Sequence, residues 1–302
     1  MESTGRRATP IRRDFRLKPI DILLGIMIAV IWGGGFLFTK VAIEHFPPVL
    51  LMAFRFALTA LMLVWFVPVP RKQLGRLFWV GLIGGAVQYS LTFTGLKYIA
   101  ASTAIIVVQL EVPFAVLVAV LFLKDRVEPT KLLGIALAFL GVIIIAGAPS
   151  LHDDLLPVFM VAGGAFTWAV AQVMIKSLGP VGGFTLIAWI SVLGAPQLFA
   201  ASWLVEDHQI EAIRSAGWLV WGVVAYLGVF MTAVGYGAWY HLLGKYPVHQ
   251  VAPFLLLLPV TTVLGGVFLL GEALTPRLVV GGLLAISGVA AINLLGRRPG
   301  RP

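Results

Sequence analysis

An apolar run from residue 101 to residue 123, long enough to cross a bilayer, contains Gln109, Glu111 and Pro113 near its middle. A carboxylate and an amide at the centre of a bilayer cost several kcal/mol, so both should face protein or a water-filled cavity instead of lipid. A proline removes one backbone hydrogen bond and favours a bend beside them. The pattern therefore predicts a helix that lines a polar passage.

The two polar side chains of this run should have different surroundings. Two residues apart on a helix correspond to about 200 degrees, so Gln109 and Glu111 cannot point to one place. Glu111 is the stronger candidate for the passage, because its charge could attract an ammonium group or carry a proton. The alternative is a structural ion pair with Arg55, which lies inside another apolar run. Arg55 itself is interpreted as a structural residue that contacts backbone carbonyls or Glu111.

Other aromatic and polar side chains inside apolar runs are candidate contacts for a bound small molecule. Trp32 and Trp168 could stack on a planar group or a cation, and packing between helices explains them equally well. Gln88 and Tyr89 could hydrogen-bond a ligand without carrying charge, with bonding between helices as the alternative. The four-residue spacing on one helix face adds Gln172, Tyr236 and Tyr240.

A second group of residues is predicted to bend, end or pack helices. Lys40 ends its apolar run and has a structural or gating role, with snorkelling of its ammonium to the lipid surface as the alternative. Bends that local rocking could use are predicted at Pro113, Pro253 and Pro259. A seven-residue recurrence, two turns on one face, predicts close packing of two helices or equally a dimer surface at Gly134, Gly141, Gly281 and Gly288.

The apolar runs that position these residues dominate the chain. Of its 302 residues, 60% are hydrophobic and 12% are charged, which is too apolar for a soluble globule and predicts an integral membrane protein. The formal charge of +9 does not indicate nucleic-acid binding, because the basic residues lie in short pieces between apolar runs.

The sequence lacks the common patterns of an enzyme or a metal site. It has no cysteine, and its five histidines show no ligand spacing, so we expect neither metal nor cofactor. A phosphate-binding loop, an HExxH motif and a GxSxG turn are all absent from the sequence. We therefore expect no catalytic residues.

A length of about 20 apolar residues per span predicts ten transmembrane helices. They lie near residues 20–41, 48–67, 75–96, 101–123, 130–148, 156–176, 182–203, 216–241, 248–270 and 276–295. The remaining segments are a basic N-terminal piece (1–19), a linker (149–155) and a basic tail (296–302). With both termini in the cytoplasm, 17 of the 22 lysines and arginines lie inside and 4 outside, which favours this orientation.

The two halves of the chain repeat one another. Trp32 and Lys40 recur 136 residues later as Trp168 and Lys176, and Tyr89 recurs as Tyr236 with an offset of 147. The pattern predicts two five-helix units, residues 20–148 and 156–295. Because five is odd, the second unit enters the membrane from the opposite face. Such inverted repeats bind substrate near the midplane and rock to open each side in turn.

The chain resembles a known transporter group. Its first span carries Trp32-Gly33-Gly34-Gly35-Phe36, Arg55 lies in the second, and the two repeats end in KDRVEPTKLLGIALAFLGVIII and GEALTPRLVVGGLLAISGVAAI. These features are similar to the EamA-type drug/metabolite transporter superfamily, and most similar to bacterial exporters of aromatic and other amino acids. The first half departs from the acidic signature, with Lys124-Asp125 where the second has Gly271-Glu272.

The resemblance implies a secondary transporter in the bacterial inner membrane that exports amino acids or similar small metabolites by alternating access. Its expected partners are that small-molecule substrate, the lipid bilayer and a second copy of the chain, without nucleic acid. One alternative is an exporter of lipophilic cations, for which Glu111 would be the counter-charge. A second alternative is a channel or a non-transporting membrane scaffold.

Overall fold

The computed structural model describes residues 17–123, 129–147, 155–246 and 248–295, and these ranges form helices without a strand. Three predicted features lie mainly outside them: the basic segments at both ends, the linker 149–155, and the Lys124-Asp125 signature. The long helices, numbered here α1 to α10, are Pro19–Ala42, Pro48–Phe66, Leu74–Tyr98, the two pieces Ala101–Val108 and Glu111–Leu123 of α4, Pro129–Ala146, Leu156–Ser177, Gly183–Val205, Trp218–Lys245, Pro253–Leu270 and Pro276–Leu295.

Nine helices of the described ranges are long and apolar enough to cross a membrane, and the apolar stretch Lys131–Ala146 within α5 is shorter. The prediction of an all-α membrane protein is therefore confirmed. The predicted eighth span, 216–241, ends too early, because α8 continues to Lys245. Inside hydrocarbon every backbone group must be bonded within the protein, which is why the apolar segments of this length are helical.

Two helices contain π-helical segments at corresponding places in the two halves. The segment Leu82–Val87 lies in α3 and is followed directly by Gln88 and Tyr89. The segment Tyr226–Tyr236 lies in α8 and ends at the tyrosine that corresponds to Tyr89 in the repeat. A π segment widens the helix by one residue per turn, and such segments are frequent at functional sites.

The glycines of the first span let α1 approach α8 and α9 closely. A Cβ at Gly35 would lie 2.7 Å from the sulfur of Met231 in α8. On the α9 side, Thr262 donates to the carbonyl oxygen of Gly33 at 3.1 Å, and Thr261 donates to that of Ala29 at 3.1 Å. Small residues and hydroxyl groups of this kind replace the hydrophobic effect as the attraction between helices in lipid.

The bundle has two ends, which we name by a lysine at each. The Lys40 end contains the links around residues 43–48, 98–101, 205–217 and 271–275, and contacts between these segments place them together. The Lys245 end contains residues 17–21, 67–76, 177–183 and 245–246, which Arg76, Asp21 and Tyr246 connect through hydrogen bonds. The membrane-spanning parts of the helices lie between them.

The four recurrent glycines lie between α5 and α10. A Cβ at Gly134 would lie 2.7 Å from the carbonyl oxygen of Gly288, and one at Gly281 would lie 2.5 Å from that of Gly141. The two backbones thus approach so closely that neither helix can carry a side chain at these positions. Because the glycines face each other inside the chain, the alternative of a dimer surface built from them is wrong.

We predict that Gly141→Ala destabilises the protein. The new Cβ would lie 2.9 Å from the Cα of Ala285, which belongs to the backbone and cannot rotate away. Overpacking of this kind costs roughly 1–3 kcal/mol. The matched control is Gly222→Ala in α8, where no atom lies within 4 Å and alanine favours the helix. Thermal unfolding in detergent should show a lower midpoint for Gly141→Ala only, and equal midpoints would contradict the prediction.

Candidate functional site

The break in α4 lies where the sequence places its polar residues. Gln109 and Leu110 form a turn in which the amide of Val112 donates to the carbonyl oxygen of Gln109 at 3.2 Å. Pro113 has no N–H for that carbonyl, so the regular helical bond cannot form and the chain turns before the proline. Gln109 is buried, 8% exposed, and Glu111 begins the second piece of the helix.

Glu111 lines a cavity of about 550 Å³ that extends along the second piece of α4 toward its end. The wall on α4 includes Ala115 and Ala119, whose small side chains leave room at successive turns below Glu111. The residues contributed by α5, α6 and α10 are Lys131, Gln172, Ile292 and Asn293. The structure therefore brings the predicted residues Glu111 and Gln172 to one cavity.

An aromatic cluster lies where α1 meets α8. The rings of Trp32 and Tyr236 are 4.9 Å apart between centroids, those of Trp32 and Trp239 are 5.9 Å apart, and Tyr240 lies 6.2 Å from Tyr236. The indole N–H of Trp32 donates to the carbonyl oxygen of Met231 in the π segment at 3.0 Å. The predicted residues Trp32, Tyr236 and Tyr240 are thus neighbours, joined by a tryptophan that the sequence did not single out.

Tyr89 has a different set of partners, on α2 and α3. Its ring is 4.9 Å from that of Phe56 and 5.4 Å from that of Phe93, and the Arg55 guanidinium lies 5.2 Å from its centroid. Within the described ranges Arg55 forms neither the ion pair with Glu111 nor the bond to a backbone carbonyl that the sequence suggested. Both suggestions are wrong, because the guanidinium lies over the Tyr89 ring.

Tyr236 is the central ring of the aromatic cluster between α1 and α8. It lies 4.9 Å from Trp32 and 6.2 Å from Tyr240 between ring centroids. It is also the last residue of the π segment of α8.

Two predicted residues lie elsewhere. Trp168 packs against the π segment of α3, where its ring would lie 3.5 Å from a Cβ at Gly84. Gln88 donates its side-chain N–H to Thr92 at 3.1 Å, and Thr92 in turn lies against Gly164 of α6. Both residues are at the contact between α3 and α6, so the packing alternative describes Trp168. The hydrogen bond of Gln88 lies within α3 and is therefore not the bond between helices that was its alternative.

The three prolines have separate environments. Pro113 follows the turn in α4, and Pro253 lies in a 3-10 segment, Ala252–Leu256, that precedes the regular part of α9. Pro259 is buried in the first turn of that regular part, where a missing amide is tolerated. Both α4 and α9 are therefore irregular beside a proline.

Charged side chains close the Lys40 end by binding helix termini. The ammonium of Lys40 donates to the last carbonyl oxygens of α3, those of Leu96 at 2.9 Å and Lys97 at 3.0 Å. The carboxylate of Glu272 accepts from the first amides of α4, those of Ala101 at 2.6 Å and Ser102 at 3.0 Å. Each charge has the sign that stabilises the helix end it meets.

Two further carboxylates were not among the residues chosen from the sequence. Glu206 accepts from the amides of Val49 at 2.8 Å and Leu50 at 3.0 Å, at the start of α2. At the Lys245 end, Asp21 is buried and accepts from the Tyr246 hydroxyl at 2.7 Å, with Lys245 at 3.3 Å. An acidic residue in the first turn of an apolar helix was the one available signal for Asp21.

The model of the EamA-like transporter family matches residues 19–147 and again 155–294. The chain belongs to this family. It is 30% identical over 287 residues to a protein of Salmonella typhimurium named "Probable amino-acid metabolite efflux pump", with 92% of this chain and 96% of that one covered. A protein of Escherichia coli K12 with the same name is 30% identical over 289 residues, with the same coverage.

Further similarities extend beyond these two bacteria. An "Uncharacterized transporter" of Archaeoglobus fulgidus is 30% identical over 269 residues, covering 85% of this chain and 93% of that one. A crystal structure with 20% identity superimposes with a TM-score of 0.63 over 93% of this chain and 99% of the other, which shows that the fold is shared.

Membership confirms the resemblance found in the sequence, and the EamA-like chain is a transporter. Its apolar helices and its bacterial relatives make it a multi-pass protein of the inner membrane.

We predict that water reaches the cavity below Glu111 in this transporter. Cysteine at Ala119, which lines the cavity, should react with a polar thiol reagent at least about tenfold faster than cysteine at the adjacent Val118, which is 1% exposed. The natural chain contains no cysteine, so neither variant has a background signal. Equal rates at the two positions would show that the cavity is dry.

Proposed function

We propose that this EamA-like transporter exports amino acids, aromatic and other neutral ones above all, or similar small metabolites by alternating access. The observation that carries the proposal is a carboxylate, Glu111, in the wall of an open cavity, together with a cluster of aromatic rings around Tyr236 in the same bundle. A carboxylate suits an ammonium group, aromatic rings suit an apolar or aromatic side chain, and the cavity supplies a route from one end. The names of the Salmonella and Escherichia relatives support the same substrate class.

The proposed topology has ten spans in two inverted five-helix units, residues 20–148 and 156–295, with both termini in the cytoplasm. The family model matches the chain twice, over ranges close to these units. In this topology α5 is the fifth and last span of the first unit. It packs along α10, which is the last span of the second unit. In this orientation the Lys245 end is cytoplasmic and the Lys40 end is external, in agreement with the excess of Lys and Arg.

The contacts of α4 and α9 support a state that is open toward the cytoplasm. On the external side the piece Ala101–Val108 of α4 packs against Leu257–Leu270 of α9, and Lys40 and Glu272 tie helix ends together. Toward the cytoplasm, the piece Glu111–Leu123 packs mainly on α6 and touches α10, whereas Ala252–Leu256 packs on α1 and α10. The cavity below Glu111 lies between the second piece of α4 and helices α5, α6 and α10.

The bonds that close the external side are suited to being exchanged. Lys40 and Glu272 bind backbone groups at helix ends, which need a partner in either state and can take water when the ends separate. Lys176 corresponds to Lys40 in the repeat and is exposed at the cytoplasmic end of α6 in this state. Export would then alternate between closure at Lys40 and closure at Lys176.

Transport by purified protein in liposomes tests the function. We predict saturable counterflow of labelled phenylalanine or leucine, with competition between them. Glu111→Gln should reduce this flux by a factor of about 10 or more, because losing a charge-assisted hydrogen bond to the substrate costs about 1.5–3 kcal/mol of binding free energy. The matched control is Glu211→Gln in the exposed short helix Gln209–Ser215, which should leave the flux unchanged.

The same assay distinguishes the second candidate function, export of lipophilic cations, for which the Glu111 carboxylate in the cavity wall would be the counter-charge. In that case Glu111→Gln abolishes cation flux and spares any amino-acid flux. Flux that does not saturate would indicate a channel, and no flux over a broad panel would reject export.

Labelling from each side of the membrane tests the topology. With impermeant thiol reagents on intact cells, cysteine at Tyr98 should react from outside, because this residue is 66% exposed at the Lys40 end. Cysteine at Arg71, in the link between α2 and α3 at the Lys245 end, should react only in inverted vesicles. Reaction of both positions from the same side would contradict the proposed orientation.

A further inference from the structure

Arg55 is a buried cation with few partners. It lies seven residues into α2, about 10 Å from the helix start at 1.5 Å per residue, and is 5% exposed. Among the described residues its side chain makes one hydrogen bond, from Nη1 to the sulfur of Met52 at 4.0 Å, and one contact with the Tyr89 ring. A guanidinium has five N–H donors, so most of its capacity is unused by this set of partners.

These contacts do not compensate for burying the charge of Arg55. A cation over an aromatic ring contributes about 0.5–2 kcal/mol, whereas an arginine inside a membrane protein costs several kcal/mol unless an anion or several acceptors surround it. A thioether sulfur is a weak acceptor. In the described ranges, no carboxylate lies within ion-pair distance of the guanidinium. The site therefore favours an anion that the chain does not itself supply.

Aromatic rings surround the same part of α2 and α3. The Tyr89 ring, over which the guanidinium lies, is 4.9 Å from Phe56 and 5.4 Å from Phe93 between centroids. An organic anion with an aromatic or apolar side chain would therefore satisfy the charge of Arg55 and find aromatic rings beside it.

We infer that Arg55 binds the carboxylate of the substrate, and that the transporter therefore selects ligands that carry this group. The inference rests on the proposed function and adds to it the residue that recognises the acid. A planar guanidinium suits this task because it can donate two parallel hydrogen bonds to a carboxylate. Tyr89 then holds the guanidinium in place from the other side.

The alternative is that Arg55 only stabilises the bundle by its contact with Tyr89. The two roles differ in what they predict for ligands that lack one charge. If Arg55 binds the carboxylate, replacing it weakens the binding of ligands that carry a carboxylate and leaves the binding of ligands without one nearly unchanged. If Arg55 is structural, its removal affects every ligand alike.

Three probes with one ring separate these roles: phenylalanine, phenylalaninamide without the carboxylate, and 3-phenylpropionate without the ammonium group. Wild-type flux of labelled phenylalanine should be inhibited far more strongly by phenylalanine than by its amide. In Arg55→Gln the KM for phenylalanine should rise by about 30-fold, the effect of a lost bidentate charge-assisted contact, while inhibition by the amide changes less than about threefold. Arg55→Lys should recover part of the loss.

The matched control is Arg76→Gln, which removes an exposed arginine of α3 that donates to the Ser177 carbonyl at the Lys245 end. It should leave all three probes unchanged. If Arg55→Gln fails to fold, Arg55→Lys and the wild-type preference carry the test: an amide that inhibits the wild type as well as phenylalanine overturns the inference. Equal losses for acid and amide in a folded Arg55→Gln also overturn it.

A binding measurement separates the inference from the function. Thermal stabilisation by 3-phenylpropionate, present in wild type and absent in Arg55→Gln, would support carboxylate recognition even if no amino-acid flux is found, so that only the proposed function fails. Amino-acid flux in the wild type with unchanged preference for the acid in Arg55→Gln would reject the inference and retain the function.

Discussion

Hydrocarbon offers no hydrogen bonds, and this constraint decides where the protein departs from regular helix. The turn at Gln109-Leu110, the 3-10 segment of α9 and the π segments of α3 and α8 all leave or rearrange backbone groups. Such departures are tolerated at membrane depth only where protein or an open cavity surrounds them. Their positions therefore mark the interior of the bundle, and the candidate site lies among them.

The same constraint accounts for the charged residues at the ends of helices. Glu272 and Glu206 each accept two hydrogen bonds from the first amides of another helix, and Lys40 donates to the last carbonyls of α3. A charge in such a place satisfies groups that would otherwise be exposed at the edge of the lipid, and it joins two helices without apolar attraction. Helix ends thus serve both as stabilising contacts and as contacts that a change of state can exchange.

Close helix approach and open space are divided between different parts of the molecule. Glycines bring α5 and α10 into backbone contact and let α1 reach α8 and α9. The small residues Ala115 and Ala119 have the opposite effect on the second piece of α4, where they leave a cavity beside Glu111. A small residue therefore permits either close helix packing or an open cavity, depending on whether another helix lies opposite it.

The sequence by itself determined the class of the protein, its apolar helices, the polar centre at Glu111 and the facing glycines of α5 and α10. Each of these follows from local chemistry, because bilayer thickness fixes the length of a span, and a seven-residue spacing fixes a helix face. Only the tertiary structure decided the partners. It put Arg55 on Tyr89 instead of Glu111 and put Trp168 against α3. It brought Glu206 and Glu272 to the first amides of helices far away in the chain, and it placed Asp21 beside the side chains of Tyr246 and Lys245. The pattern of a single helix does not specify which neighbouring helix lies opposite a given face. For a charged side chain within the bilayer, that neighbour decides whether the side chain forms an ion pair, caps a helix end or remains available to bind a ligand.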